Sequence, residues 1–523
     1  MRTSWLLLTA LFALICAVRS AHAGKLHVRT VQQWTTFAEW SLTNPDWEGN
    51  PFDVIGTVTF EHIDSARKRV TEMFYDGGER WKFRFTGTRP GQWRFETASP
   101  DPDLDGHTGT VRVRASEPGV HGFVTAAGNR WAWQTGRDGE LRAFVPQLVM
   151  YSGDLSEIAR NPARLRRDVR VFLDGHGFTG FHVPSIGGRW FDIEASARVE
   201  PGMRNPDPRS FAALERAIAE VHAAGGMVHI WAWGDQQRKQ TPIELPGGKN
   251  GTADRRLQRY VAARLGPVPG WSMGYGFDLD EWAEQPEVKA WHDYLHDHMG
   301  WLHFLGGRPE GPNRGTDHSA YRRWNAPLDY AGYEHHRPAY EVYAAALRAN
   351  PGKPVMSEDR FRIRGKYPDK DYTEQLTRRG LYHSTMAGGV ANIWGYLKEP
   401  EGGYRSGGRS GPYPHEEWIK TYSVFFFDRA RFRTDLRVAN ELTDGYALAA
   451  PEGSGYLFYV EDADSVRVDL SGASGPPGAV AVDTRREYEE LELGELEPRE
   501  QRLRLPHASD WTVAVGSLRA PGD

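Results

Sequence analysis

Two short stretches place carboxylates where proton transfer and nucleophilic attack would need them. In WSMGYGFDLDEW, residues 271–282, an apolar run gives way to Asp278, Asp280 and Glu281, three acids in four positions. In KPVMSEDRF, residues 353–361, the apolar stretch from Pro354 to Met356 ends near Glu358, and Arg360 and Arg362 follow closely. Arginines beside a carboxylate stabilise its ionised form, which suits a group that must attack as an anion, so Glu358 reads as a nucleophile. Of the other three, Asp278 stands nearest the apolar run, while Glu281 has the longer side chain and opens the helical stretch EWAEQPEVKAW. Asp280 is placed to cap that helix by accepting a backbone N–H. The proton donor is therefore expected to be Asp278 or Glu281.

Such carboxylates need a scaffold, and residues 119–432 alternate short apolar runs with amphipathic helical patterns. Eight runs recur: AFVPQLVM, FTGFHVP, MVHIWAW, GWSMGYG, LHFLGG, LDYAGY, KPVMSE and VANIWGY. Between the second and third lies FAALERAIAEVHAAGG, where Phe211, Leu214, Ile218 and Val221 keep helical spacing, and Tyr340, Tyr343 and Leu347 do the same further on. The pattern predicts an α/β fold, a (β/α)8 TIM barrel, whose chemistry sits at the C-terminal ends of the strands. A doubly wound open sheet is the competing architecture, but no Gly-rich nucleotide loop follows the first strand. At the strand ends stand His182, Trp231, Trp233, Tyr333, Glu334, His335 and Trp394. With Arg360 they are candidate substrate-binding residues suited to a polyhydroxylated ligand, although each is also an ordinary packing group and the tryptophans most of all.

Flanking this region, residues 24–118 and 433–523 read as β-sandwiches, with apolar and polar residues alternating in short runs such as RWKFRF and GTVRVRA, or GYLFYVE and DWTVAVG. DPDLDG, residues 101–106, imitates the start of a calcium loop, but Arg112 stands where a bidentate Glu is required, so a turn is expected. Residues 1–23 carry Arg2, the apolar run WLLLTALFALICAV and the small-x-small site Ala21-His22-Ala23, which predicts a signal peptide cleaved before Gly24 and a periplasmic or secreted protein. Cys16, the single cysteine, falls inside that run, so the mature chain is expected to lack disulfides and cysteine metal sites. A formal charge of −5 without a basic block argues against a nucleic-acid partner, and no later run is long enough to span a membrane.

FYDGGERWKFRFTGTRPGQWRFETAS resembles the immunoglobulin-like module in front of certain bacterial glycosidase barrels, and GYLFYVE followed by DWTVAVG resembles a collagen-binding-type tail module. The barrel between them resembles apiosidase-like enzymes, in the broad clan of retaining glycoside hydrolases. The resemblance implies an acid/base after strand four, a nucleophile after strand seven, a poly- or oligosaccharide substrate of plant, algal or bacterial origin, and no cofactor. The clan's strand-four motif carries an Asn-Glu pair four and five positions beyond an aromatic residue. Counted from Trp271, those places hold Tyr275 and Gly276, so the donor has moved along the loop or the site has lost its chemistry. Two other classes stay open: a silent glycan-binding barrel, and a polysaccharide lyase drawing on Arg308, Tyr333 and His335. No metal is expected, because HExxH is absent and the histidines of HDYLHDH, residues 292–298, read as a solvated helix face, with metal binding there the lesser alternative.

Overall fold

The computed structural model describes residues 24–518, apart from 36, 152–153, 310–317, 336–338, 359–372 and 396–414. The eight apolar runs all become strands of one parallel sheet. In chain order they are Gln147–Met150, Gly180–Val183, Met227–Trp231, Trp271–Gly274, Phe304–Gly306, Ala331–Tyr333, Val355–Ser357 and Ala391–Trp394. Strand one pairs with strand eight as well as with strand two, so the sheet curls round, and strands five and six form its two edges. Those edges meet through the Asp329 amide, which donates to the Leu305 carbonyl at 2.8 Å. A Cβ on Gly332 would lie 2.3 Å from the Gly307 carbonyl oxygen, so glycine is what lets the seam close. The result is a near-closed TIM barrel.

Both faces of a parallel barrel strand are covered, which is why the runs are continuously apolar rather than alternating. The helix after strand two, Pro208–Ala223, starts at Asp207, whose carboxylate accepts the Arg209 N–H, and it buries Phe211, Leu214, Ile218 and Val221 completely. Its spacing in the sequence thus marks its barrel-facing stripe. Among the described residues no helix is long and apolar enough to cross a membrane.

The N-terminal mouth of the barrel is sealed by a three-stranded antiparallel sheet, His121–Ala127, Arg130–Thr135 and Glu140–Ala143. Its Val124, Trp131 and Trp133 join Leu148, Met150, Met227, Phe304, Met356 and Ile393 in a single apolar cluster inside the barrel. Trp131 is fully buried, and its indole N–H donates to the Val355 carbonyl at 2.9 Å. Trp131→Ala should therefore cost about 3–5 kcal/mol through cavity formation and an orphaned carbonyl. A urea or thermal midpoint equal to wild type would show that this plug does not hold the barrel.

Sheets of a different kind flank the barrel. At the N-terminal side a five-stranded sheet faces a three-stranded one across Trp40, Phe60, Phe83 and Phe95, which makes a β-sandwich. DPDLDG is a turn, in which Asp101 accepts the Asp103 amide and the Asn44 side-chain amide. At the C-terminal side six strands form one antiparallel sheet. GYLFYVE and SVRVDL belong to one strand, Gly455–Asp469, and QRLRLP and DWTVAVG to another, Glu500–Gly516. Register shifts between Val460 and Ser465 bend this pair so that it wraps its own core, the usual effect of bulges. Buried ion pairs tie both flanks to barrel helices: Arg84 to Glu215 on one side, and Arg378 and Arg379 to Asp510 on the other.

Candidate active site

At the C-terminal end of the barrel three carboxylates converge on one guanidinium. Arg308 follows strand five and is 1% exposed. It donates from Nε to Glu358, from Nη1 to Asp278 at 2.6 Å, and from Nη1 to Glu334 at 2.8 Å. These acids follow strands seven, four and six respectively, so three loops of the barrel supply one cluster. The Phe277 ring lies 5.5 Å from the guanidinium carbon and adds a cation–π contact.

Backbone bonds hold the parts in place. Arg308 donates its amide to Gly276 and accepts from Leu279, which binds the loop after strand five to the loop after strand four. The Glu358 amide donates to the Tyr333 carbonyl at 2.8 Å and so continues the ladder one step past the strands. Asp278 adopts a left-handed conformation, φ 50° and ψ 42°, which Asp tolerates better than most residues at a cost of roughly 1–2 kcal/mol. That turn directs its carboxylate to Arg308 while Asp280 and Glu281 continue outward.

Arg308 is thus a cation shared by three carboxyl groups in a buried place. Burial pushes the Asp278 carboxyl above the usual carboxylate range; Arg308 opposes this, and the charges of Glu358 and Glu334 add to it. A carboxyl with raised proton affinity is suited to donate a proton. Arg308 is itself held well above its ordinary value by the three carboxylates despite its burial, so it stays charged. Beneath the cluster, Tyr330 accepts or donates a 2.7 Å bond with Nε2 of His229, whose pKa burial lowers to about 3. Nδ1 of His229 lies 2.8 Å from Nδ1 of His182. One of these nitrogens must donate and the other accept, which couples the two tautomers.

The other candidates divide sharply. Tyr333 is buried beside the cluster with its ring against His318 at 4.8 Å, and His335 is half-buried next to Glu334. His182 is wholly buried in the barrel interior. Trp231, Trp233 and Trp394 are core residues, 0–1% exposed, and offer no face for stacking. Trp231 fills the space over Gly274, where a Cβ would sit 1.7 Å from its ring, and Trp394 donates to the Gln147 side chain at 2.9 Å. Glu281 is exposed at the rim, in the short turn Leu279–Glu281. Asp280 lies in the same turn, and the cap expected of it is supplied by others, since the helix begins at Gln285, where Glu284 and Glu287 form a capping box. Arg360 and Arg362 lie outside the described residues.

Arg308 is the residue whose place the sequence reading missed. It was weighed only as a neutraliser of uronates, whereas its donors are turned to Glu358, Asp278 and Glu334. Its position directly after the apolar run LHFLGG was the available signal, since an arginine there is forced into the mouth of the barrel. HDYLHDH also departs from the solvated face expected of it: His292 and His296 are half-buried and both turn to Asp329.

Residues 30–100 match a family model described as a domain of unknown function, DUF5060. No curated protein matches the chain in sequence. Among solved structures, a protein of Bacteroides vulgatus assigned as a glycoside hydrolase is similar over 93% of this chain and 99% of its own, with 17% identity and a TM-score of 0.68. A second glycoside hydrolase aligns over 77% of this chain and 98% of its own, with 13% identity and a TM-score of 0.56. A family 5 glycoside hydrolase of Bacteroides vulgatus aligns over 76% and 93%, with 14% identity and a TM-score of 0.54. At these identities the likeness is one of fold.

Proposed function

We propose that the protein is a glycoside hydrolase that cleaves a poly- or oligosaccharide with retention, Glu358 serving as nucleophile and Asp278 as acid/base. The observation that carries this reading is the convergence of carboxylates from strands four, six and seven on Arg308. Solved structures of the same fold that are described as glycoside hydrolases support it. So does the resemblance of the chain to apiosidase-like barrels between an immunoglobulin-like and a collagen-binding-type module. The reading includes export, in keeping with the N-terminal apolar segment.

In the first step the Glu358 carboxylate attacks the anomeric carbon while Asp278 gives its proton to the departing glycosidic oxygen. The C–O bond breaks and a glycosyl ester forms. Asp278, now ionised, takes a proton from water, the water oxygen attacks the anomeric carbon, and Glu358 is released as a carboxylate. Burial and the neighbouring carboxyls raise the proton affinity of Asp278 against the opposing effect of Arg308, which suits a group that must be loaded with a proton. Retention requires the two carboxyls to lie about 5–5.5 Å apart, whereas about 6.5–9.5 Å would mean inversion with Glu358 as the base.

The silent-barrel alternative rests on the strand-four positions Tyr275 and Gly276. Tyr275 is wholly buried, and a Cβ on Gly276 would meet the Trp282 ring at 2.9 Å, so neither position can present a donor. On the proposed reading Asp278 takes the role that those positions lack. A lyase would need a cation for the uronate, and Arg308 is committed elsewhere.

Asp278→Ala tests the assignment. The donor must be protonated, so activity should fall as pH rises through its raised pKa, and the variant should lack that alkaline limb. Azide should restore turnover on a substrate with a good leaving group, and the product should be a glycosyl azide of retained configuration. An unchanged profile in Asp278→Ala would move the donor to Glu281 or, failing that, to Glu334. Screening plant, algal and bacterial polysaccharides for released sugar supplies the substrate.

A further inference from the structure

We infer that His292, His296 and Asp329 form a binding site for one divalent transition-metal ion of the zinc class, on the outer wall of the barrel and separate from the carboxylate cluster. His292 and His296 are four residues apart on helix Gln285–Met299, so their rings leave the same face. Asp329 lies in the turn that enters strand six. Nε2 of His296 is 2.8 Å from its Oδ2, and Nε2 of His292 is 3.3 Å from its Oδ1. All three ligand atoms fall within 4.8 Å of one another. A tetrahedral ion bound at roughly 2.0–2.2 Å holds its ligand atoms about 3.4 Å apart, so small side-chain rotations would complete the site.

Two further contacts distinguish this group from a chance cluster. Asp293 lies 3.3 Å from Nδ1 of His292, and a carboxylate there keeps the proton on Nδ1 and the lone pair on Nε2, the arrangement that orients metal-binding histidines. Asp329 Oδ2 also accepts the Leu305 amide at 2.9 Å, which fixes the carboxylate from behind. The ligands are half-buried, which leaves room for water as a fourth ligand. Lys353, which feels the charge of Asp329, is engaged by the carbonyls of Asn325, Ala326 and Leu328. Two imidazoles and one carboxylate, without sulfur, suit zinc, cobalt or nickel and not calcium. An ion there would clamp the helix after strand four to the entry of strand six. Asp329 and Glu334 lie beyond opposite ends of the strand Ala331–Tyr333, roughly 16 Å of extended chain apart at most, so the clamp would act on stability without touching the reacting atoms.

Chelator-treated full-length protein titrated with cobalt should bind one ion per chain with visible absorption bands of nitrogen–oxygen coordination, and zinc should displace it. Zinc should raise the thermal midpoint. Affinity should weaken at least about tenfold in His296→Ala and in Asp329→Asn, whose amide oxygen can still accept the Leu305 N–H. Binding should also weaken below about pH 6, where protons compete for the imidazoles. Absence of stoichiometric binding, or affinity unchanged in both variants, would overturn the assignment.

Discussion

Glu358→Gln is expected to fold, to bind glycan and to lose turnover by roughly 10⁴-fold or more, because an amide cannot form the glycosyl ester. A loss of that size corresponds to about 5.4 kcal/mol of transition-state stabilisation. The side chain keeps its shape, and its amide oxygen can still accept from Nε of Arg308, so the fold has no reason to fail. Arg308 retains Asp278 and Glu334 as ionic partners. The variant also carries a second signature. The Glu358 charge is one of the causes that raise the Asp278 proton affinity, so its removal should shift the alkaline limb of any residual activity toward lower pH. Equilibrium binding of an oligosaccharide and the initial rate on it, measured side by side, separate the outcomes. Binding retained with turnover abolished supports the nucleophile. Turnover near wild type would exclude it, and a wild-type protein that binds glycan yet releases no sugar at any pH would leave the silent barrel standing.

Particular residues show why the barrel was legible in the sequence and much of the site was not. Parallel strands buried on both faces write themselves as apolar runs, and all eight runs are strands of the sheet. The stripe of Phe211, Leu214, Ile218 and Val221 was equally plain. Trp231, Trp233 and Trp394 sit at strand ends where a rim platform and a core residue have the same pattern, and only the glycine at 274 and the amide at Gln147 decide between them. Asp278 and Glu281 are three residues apart and chemically alike, and what separates them is one left-handed backbone conformation with no signature in composition. Bulges are similarly silent, which is why GYLFYVE and SVRVDL read as separate runs although they are one strand. The spacing of His292 and His296 was visible, but their partner Asp329 lies 33 residues further on and reaches them only through the barrel.

Arg308→Met should lower both stability and turnover. Methionine fills much of the arginine's volume, so the loss is electrostatic. Three carboxylates at the mouth of the barrel would be left without their cation, and breaking a buried ion pair by removing one partner costs about 3–5 kcal/mol. The dependence on pH gives the sharper test. Burial already raises the Asp278 carboxyl and Arg308 opposes that rise, so without the guanidinium it should lie further above the roughly 4 of an unfolded chain. A carboxyl whose folded pKa is raised stabilises the fold fully below its unfolded pKa, and that contribution is lost as pH rises through the folded value. The penalty of Arg308→Met, relative to wild type, should therefore be small near pH 4 and grow toward neutrality. Denaturant midpoints of both proteins at several pH values read this directly. Arg308→Lys should recover part of the stability but little of the turnover, since an ammonium restores the charge without the fork that sets three carboxylates at fixed angles. If the penalty is the same at every pH, the carboxylates do not depend on Arg308 for their ionisation, and the electrostatic account of the donor at Asp278 fails with it.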